Sequence, residues 1–363
     1  GLWFYTQIVN RNEFASWVLD ISFAQNDNVD LYLIENGEVV YQQKQGKVTN
    51  TQTNRYPNFK FDLDTDEPYE VYIRIYSPSQ NRVVPIDIQS DPYFYFLMTI
   101  DQTLWGIYYG GLLMLLLYTL VLYITNKELS LLTYISYLAT VIFFELVWGG
   151  HLHLFLNSSF TQWIGQHTDL AFILTAIAAG AFTLTFLDAT QSAPRITNVV
   201  KAFVITELVL AVASLTEVIP ADLQNYLVYL VSIGAISSYL YAGFESYLNS
   251  FKPARYFIFA WTVLLTCAMI GLLGLIGVLP SNFLTTYCFQ IGVFFESAFF
   301  ALALLEKSRH QLEMEVQSAT EDLMNNLELI EEQNVRLDIA RKDALKASKI
   351  KSQFLANMSH EIR

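Results

Sequence analysis

Seven long apolar runs crowd into the stretch from Leu104 to Leu305, at 104–124, 129–148, 166–187, 199–219, 226–248, 257–279 and 283–305. Each is close to the ~20 residues a helix needs to cross a ~30 Å hydrocarbon core. Soluble buried helices seldom reach that length once, so a polytopic membrane bundle is the expectation. Composition agrees: the chain is 53% hydrophobic and 15% charged, against about 25% charged in soluble domains. The breaks are short and carry turn or polar residues, such as Pro220-Ala221-Asp222 and Pro280-Ser281-Asn282.

Lys127, Arg195, Lys201, Lys252, Arg255, Lys307 and Arg309 all lie in or flank the connections on one side of the seven spans. The loops at 149–165, 220–225 and 280–282 contain no Lys or Arg. The positive-inside rule then places residues 1–100 outside and the C-terminal tail in the cytoplasm. The net charge of −13 is spread unevenly, with 13 acidic and 7 basic side chains before residue 101 and only 10 and 5 over 101–305. No basic patch with interleaved aromatics occurs, which removes electrostatic support for nucleic-acid binding. Cys267 and Cys288 lie in apolar runs and read as small hydrophobes rather than a disulfide. A first residue of Gly without a signal-peptide run is expected to mark a processed or cut N-terminus.

Residues 3–89 alternate apolar and polar side chains in short segments, for example Val29-Asp30-Leu31-Tyr32-Leu33, and Val83 to Ile88 continues the pattern. Asn36-Gly37 between two such segments is a type I′ hairpin signal. Seven or eight strands at this spacing predict an antiparallel sandwich. Within it, Asp62, Asp64, Asp66 and Glu67 form an oxygen-rich run suited to Ca²⁺, or else a solvated acidic turn before Pro68. Trp3, Tyr5 and Tyr56 are candidate aromatic surfaces for a sugar ring.

After Leu305 mixed charge becomes dense, and Val316, Leu323, Ile330, Leu337 and Ala344 recur at seven-residue spacing. With these at a, the d positions include Leu312, Ala319, Asn326 and Gln333. The seam predicts a coiled coil whose polar d residues fix register, and two copies of one topology predict a parallel homodimer. The chain finishes in Phe354-Leu355-Ala356-Asn357-Met358-Ser359-His360-Glu361-Ile362-Arg363. A neutral imidazole is a nucleophile near pH 7, and an adjacent carboxylate can take or orient its other proton.

That run closely resembles the H-box of sensor histidine kinases. The resemblance implies that His360 is the phosphoacceptor, that Glu361 assists proton transfer, and that a response regulator or phosphorelay domain is the partner. It also implies ATP with Mg²⁺ as phosphate source in a full-length kinase. The 363 residues contain no Gly-rich ATP site, so no cofactor and no autokinase activity are expected of this chain alone. Taken with the outer strands, the seven spans and Gly292 to Leu304 in the last of them, the chain resembles the bacterial seven-transmembrane receptors with diverse intracellular signalling modules (7TMR-DISM). Their outer domain is a jelly-roll sandwich similar to carbohydrate-binding modules.

Ionisable residues inside spans are functional candidates: Glu145, Glu207, Glu245 and Glu296, each of which could instead be a hydrogen-bonded structural group. No Lys occupies the centre of the last span, which argues against a retinal Schiff base. Gly106 and Gly110 form a helix-packing motif. His151, His153 and His167 gather by topology on the outer side near Glu145 and Asp169, where His with carboxylate suits Zn²⁺, although interfacial His are common without a ligand.

The reading is a membrane α-helical protein in four parts: an outer β-sandwich sensor over 1–100, a seven-helix bundle over 101–305, a signalling coiled coil over 306–350, and the start of a phosphoacceptor domain over 351–363. It is expected in the bacterial inner membrane, in contact with lipid, sensing an extracytoplasmic small ligand or cation. A channel or transporter with a regulatory tail is the alternative, but the paired repeats and broken helices of transporters are not seen.

Overall fold

In a computed structural model the described residues are 1–49, 54–76, 84–156, 159–280 and 282–361, the side chains of 222, 356 and 359–361 apart. The chain divides into two compact units, Gly1–Leu304 and Leu305–Arg363.

Among the described residues the first unit opens with seven strands: β1 (Leu2–Val9), β2 (Ser16–Ile21), β3 (Asn28–Glu35), β4 (Glu38–Gln45), β5 (Asn58–Asp62), β6 (Pro68–Tyr76) and β7 (Ile86–Ser90). They form a four-stranded sheet in the order β1-β6-β3-β4 and a three-stranded sheet in the order β5-β2-β7. Every strand pairing is antiparallel. The chain changes sheet repeatedly, so the two inner faces interdigitate into one core. Leu19, Ile21, Val29, Leu31, Phe59, Phe61, Val71, Ile73 and Ile75 fill it. In β6 the period of two is clean: Val71, Ile73 and Ile75 point inward while Glu70, Tyr72 and Arg74 point away. Asn36 and Gly37 take φ of 50° and 84° between β3 and β4, the left-handed pair that a I′ turn requires. Val83, where one segment was expected to begin, lies outside the described residues.

The seven helices long and apolar enough to cross a membrane are α1 (Asp91–Asn126), α2 (Leu129–Trp148), α5 (Thr168–Phe186), α7 (Pro194–Thr216), α8 (Ala221–Leu248), α9 (Ala254–Leu275) and α10 (Phe283–Glu361), with short helices α3 (Leu152–Phe155), α4 (Ser159–Gln166) and α6 (Ala189–Ser192) between them. An aromatic core of Tyr134, Tyr137, Phe182, Phe186, Phe257 and Phe300 holds the bundle together.

Helix α1 starts at Asp91, directly after β7, rather than at Leu104. Hydropathy marks where apolar side chains must meet lipid, whereas a helix continues wherever its backbone bonds do. The extra turns pack against the sandwich, with Phe94 buried beside Val18, Ala24 and Tyr56. Within the single chain the close helix contact falls on a neighbouring glycine. Ideal Cβ atoms at Gly106 and Gly110 meet nothing within 4 Å among the described residues, whereas one at Gly111 would lie 2.5 Å from Phe294. Gly111 is the close-packed glycine of this helix.

In the second unit α10 is helical to Glu361. Val316, Leu323, Ile330 and Leu337 are more than half exposed in the single chain, and Ala344 is exposed too.

Candidate functional site

The polar chemistry of the first unit concentrates where sandwich loops meet helix ends. Arg55 follows the segment after β4 and reaches α1, where Nε donates to Asp101 Oδ2 at 2.8 Å and Nη2 donates to Oδ1 at 2.7 Å. This fork-on-carboxylate geometry is the strongest form of ion pair available to an Arg. Tyr287 of α10 donates its hydroxyl to the same Oδ1 at 2.7 Å. One carboxylate therefore gathers a sandwich loop, the first span and the last span. The Arg55 guanidinium also lies over the Tyr56 and Trp105 rings, 4.6 and 5.3 Å from their centroids, a desolvated setting in which cation–π attraction strengthens.

A second joint lies alongside. Gln25, 2% exposed, donates through Nε2 to the carbonyls of Val147 and Trp148 at 3.0 and 2.6 Å, and accepts from Thr168 Oγ1 at 3.2 Å. The α2 terminus and the α5 start thus share one sandwich side chain. Gly150, at φ +73°, lets the backbones touch: a Cβ there would sit 2.1 Å from the Arg55 carbonyl oxygen. His153 Nε2 donates to the Asn54 carbonyl at 2.9 Å.

The three candidate His residues are held separately. His151 packs 4.6 Å from the Trp105 ring, with Nδ1 3.3 Å from Tyr109 Oη. His153 is on the Asn54 carbonyl, and His167 stacks on Trp163 with Nε2 3.5 Å from Glu217. Burial, assisted by the Arg55 cation, pushes the His151 imidazole down to about 3, and burial also lowers His153; both are neutral rings at pH 7. No three His, Cys, Asp or Glu side chains among the described residues come together as a metal-ligand group, a statement that covers the Asp62, Asp64, Asp66 and Glu67 run as well. Those four acids are exposed, and Asp66 takes φ 65° in a turn whose N–H donates to the Asn10 carbonyl.

Trp3 and Tyr5 are exposed at 58% and 55%. Tyr56 is not a surface ring: it is 8% exposed, buried between Arg55 and Phe94 because the loop that carries it seals the sandwich against α1. Cross-strand register adds residues to the outer face. Trp3, Arg74, Asp30 and Lys44 share one row, and Tyr5, Tyr72, Tyr32 and Gln42 the next. Trp3 stacks with Tyr32 at 6.0 Å and Tyr5 meets Tyr72 at 4.9 Å. Arg74 and Lys44 both lie within 4 Å of the Asp30 carboxylate.

On the face of β2 turned away from the sandwich core, Asp20 is 4% exposed and accepts from Ser22 Oγ at 2.7 Å. Burial pushes its carboxyl up to about 7, with Asp87 and Asp101 adding to the rise and Ser22 and Arg55 opposing it.

All four intramembrane Glu residues are buried. Both Glu296 oxygens lie within 2.8 Å of the Tyr137 hydroxyl, which joins α10 to α2. Gln290 Nε2 donates to Glu145 at 3.4 Å, a longer tie between the same helices. Ser232 donates to Glu207 at 2.8 Å, joining α8 to α7, and Glu245 accepts the Arg195 backbone N–H at 3.2 Å. His360 and Glu361 lie at the end of α10, and their side chains fall outside the described set.

Arg55, Asp101, Tyr287 and Gln25 were not legible as a group. Asp101 alone carried a signal, as an acid standing at the mouth of an apolar run with no cation in the same helix.

The family model described as 7TM diverse intracellular signalling matches residues 101–307, and 7TMR-DISM extracellular 2 matches residues 1–90. Among curated proteins, the Sensor protein GacS of Pseudomonas syringae pv. syringae is 59% identical over 61 residues, 17% of this chain and 7% of that protein. The Sensor histidine kinase GacS of Pseudomonas protegens is 59% identical over 59 residues, 16% of this chain and 6% of that one. The Signal transduction histidine-protein kinase BarA of Escherichia coli K12 is 53% identical over 53 residues, 15% of this chain and 6% of that one. The chain thus spans a small fraction of the length of each of these relatives.

Proposed function

The chain belongs to the 7TM diverse intracellular signalling family, and from that premise we propose that it senses a ligand on its β-sandwich and transmits the event to a histidine phosphoacceptor at its C-terminal end. The observation that carries this reading is the Arg55–Asp101–Tyr287 junction. It ties the sandwich to α10, the helix on which the H-box-like run stands. A shift of the sandwich against α1 has to strain or break a bidentate ion pair, and α10 feels it through Tyr287.

In this reading the sandwich and the Lys/Arg-free loops face outside the bacterial inner membrane, and residues from Lys307 onward are cytoplasmic. The exposed seam of Val316, Leu323, Ile330, Leu337 and Ala344 pairs with a second copy in parallel. His360 receives a phosphoryl group on a ring nitrogen, Glu361 orients or accepts the opposite ring proton, and a response regulator or phosphorelay domain takes the group onward. ATP with Mg²⁺ supplies the phosphate in the full-length kinase. The aromatic face built from Trp3, Tyr5, Tyr32 and Tyr72 is the ligand surface of choice, because stacked rings flanked by charges suit a sugar-like ring with polar edges. The relatives named as sensor kinases support the output, and the match of residues 1–90 supports an outer sensing domain.

The test is phosphorylation of the full-length protein with ATP. An acid-labile, alkali-stable phosphate is expected on His360 and is expected to vanish in His360→Gln. Acid-labile phosphate persisting in that variant overturns the assignment. For the ligand, thermal scans with oligosaccharides and, separately, with Ca²⁺ read binding by linkage. A shift with oligosaccharide that Trp3→Ala removes supports the aromatic face, whereas a Ca²⁺ shift that Asp64→Asn removes moves the site to the acidic turn.

A further inference from the structure

Strand β2 runs through the middle of the three-stranded sheet, with β5 on one side and β7 on the other. Leu19 and Ile21 enter the sandwich core, so Val18 and Asp20 stand on the opposite face. The first turns of α1 cover that face, where Val18, Tyr56 and Phe94 pack into one apolar cluster. An acid in such a joint is conspicuous. Asp20 Oδ2 receives the Ser22 hydroxyl, but Oδ1 is buried with no hydrogen-bond donor among the described residues. Burying an ionised carboxylate without a donor is costly, and the group escapes that cost by taking up a proton.

The groups around Asp20 sharpen the conflict. Directly across from it stand Asp87 on β7 and Asn58 on β5, and the Asn58 amide is turned to the Tyr56 carbonyl at 2.9 Å. The Asp101 carboxylate of α1 and the Tyr56 phenol lie within its electrostatic reach, and so does the Arg55 cation. Lys60, one row along β5 on the same face, is committed to Asp91 of α1 at 2.9 Å. Asp20, Asp87 and Asp101 thus share one guanidinium, which already forks onto Asp101.

We infer that Asp20 is a proton-binding site through which acidity on the sandwich side of the membrane sets how firmly Arg55 holds Asp101. While Asp20 is protonated, Arg55 has one buried anion to serve and its fork is undisturbed. Once Asp20 loses the proton, a second anion stands in the joint, and it draws the guanidinium off Asp101 or brings water between β2 and α1. Burial sets this exchange near neutrality, since it pushes the carboxyl up to about 7. The proton is an input separate from any ligand on the aromatic face. Its passage to α10 rests on the transmitting role proposed above for the Arg55–Asp101–Tyr287 junction.

The test is hydrogen–deuterium exchange of the full chain in nanodiscs between pH 5 and pH 8, with each rate divided by the intrinsic rate at that pH. Opening of the α1 amides 94–101 is expected to become about tenfold or more easier from pH 5 to pH 7, and to level off above that. Asp20→Asn, which mimics the protonated acid, should remove the dependence. Asp87→Asn takes away the facing charge and should bring the plateau to lower pH. Ser22→Ala takes away the hydroxyl that favours the ion and should move the plateau to higher pH. A flat profile in the parent, or a profile that Asp20→Asn keeps, overturns the proton site; so does a plateau that neither neighbouring variant moves. Exchange at 284–291, around Tyr287, separates this inference from the reading it rests on. The same profile there supports passage to α10, whereas a profile confined to α1 upholds the proton site and overturns the transmitting role.

Discussion

Tyr287 donates its hydroxyl to the Asp101 oxygen that also receives Arg55 Nη2, each at 2.7 Å. The first and last membrane helices and a loop of the β-sandwich therefore depend on a single carboxylate. Removing its charge leaves the Arg55 guanidinium largely buried and unpaired, since its side chain is only 15% exposed.

Asp101→Asn is accordingly expected to destabilise the first unit by about 3 kcal/mol, the usual scale for losing one partner of a buried pair. Arg55→Lys should cost less while still losing the fork geometry. Equilibrium unfolding in mild denaturing detergent measures both, and an Asp101→Asn midpoint equal to that of the parent would refute the junction.

Gly150→Ala tests the same seam from its backbone. The added methyl meets the Arg55 carbonyl at 2.1 Å, and the residue keeps φ +73°. Strain and overpacking together should cost roughly 2 kcal/mol. Limited proteolysis should then cut the segments around residue 55 and residue 150 faster, whereas Gly37→Ala, in open space, should leave those two sites unchanged.

Asp20 makes stability depend on pH. Burial pushes its folded-state carboxyl up to about 7 from the ordinary aspartate value of 3.8, so the folded protein binds the proton more tightly than the unfolded chain. The stabilising contribution is complete below about pH 4 and is lost as pH rises to about 7. The facing groups Asp87 and Asp101 reinforce the rise, and Ser22 and Arg55 oppose it. Melting temperatures of the parent are expected to fall between pH 5 and pH 8 more steeply than those of Asp20→Asn. Parallel curves would rule out this titration.

Tyr137 and Glu296 should be energetically coupled. In a double-mutant cycle, Tyr137→Phe with Glu296→Gln should depart from additivity by about 1 kcal/mol, as contacting residues do. Tyr137→Phe with Glu207→Gln, whose Glu bonds Ser232 instead, should add.

Single cysteines at positions 323 and 330 should cross-link between copies if the seam pairs in parallel register. Leu323→Asp with Ile330→Asp puts like charges into that seam and should abolish pairing of the segment. Failure of both cysteines to cross-link rules out the parallel dimer.

Much of the architecture was legible without coordinates, because solvent imposes it residue by residue. A segment that must lie in hydrocarbon has to be helical and apolar along its whole length, so seven apolar runs became seven helices long and apolar enough to cross a membrane. A strand with one buried face has to alternate, as Val71, Ile73 and Ile75 do against Glu70, Tyr72 and Arg74. Asn36-Gly37 could announce its turn because φ > 0 is a local property of those two residue types.

What tertiary structure alone decided is where the polar minority goes. Tyr56 and Tyr5 have the same side chain in the same domain, yet one is buried against α1 and the other is exposed on the sheet. Nothing within a few residues of Arg55 indicates that its carboxylate lies 46 positions away, or that Tyr287 reaches that carboxylate from 186 positions away. His151, His153 and His167, close by topology, are parted by three different partners. Hydrophobic patterning responds to the average environment of a segment and is therefore written locally. A hydrogen bond or ion pair needs two groups within about 3 Å at a set angle, a condition that only the packed chain can meet.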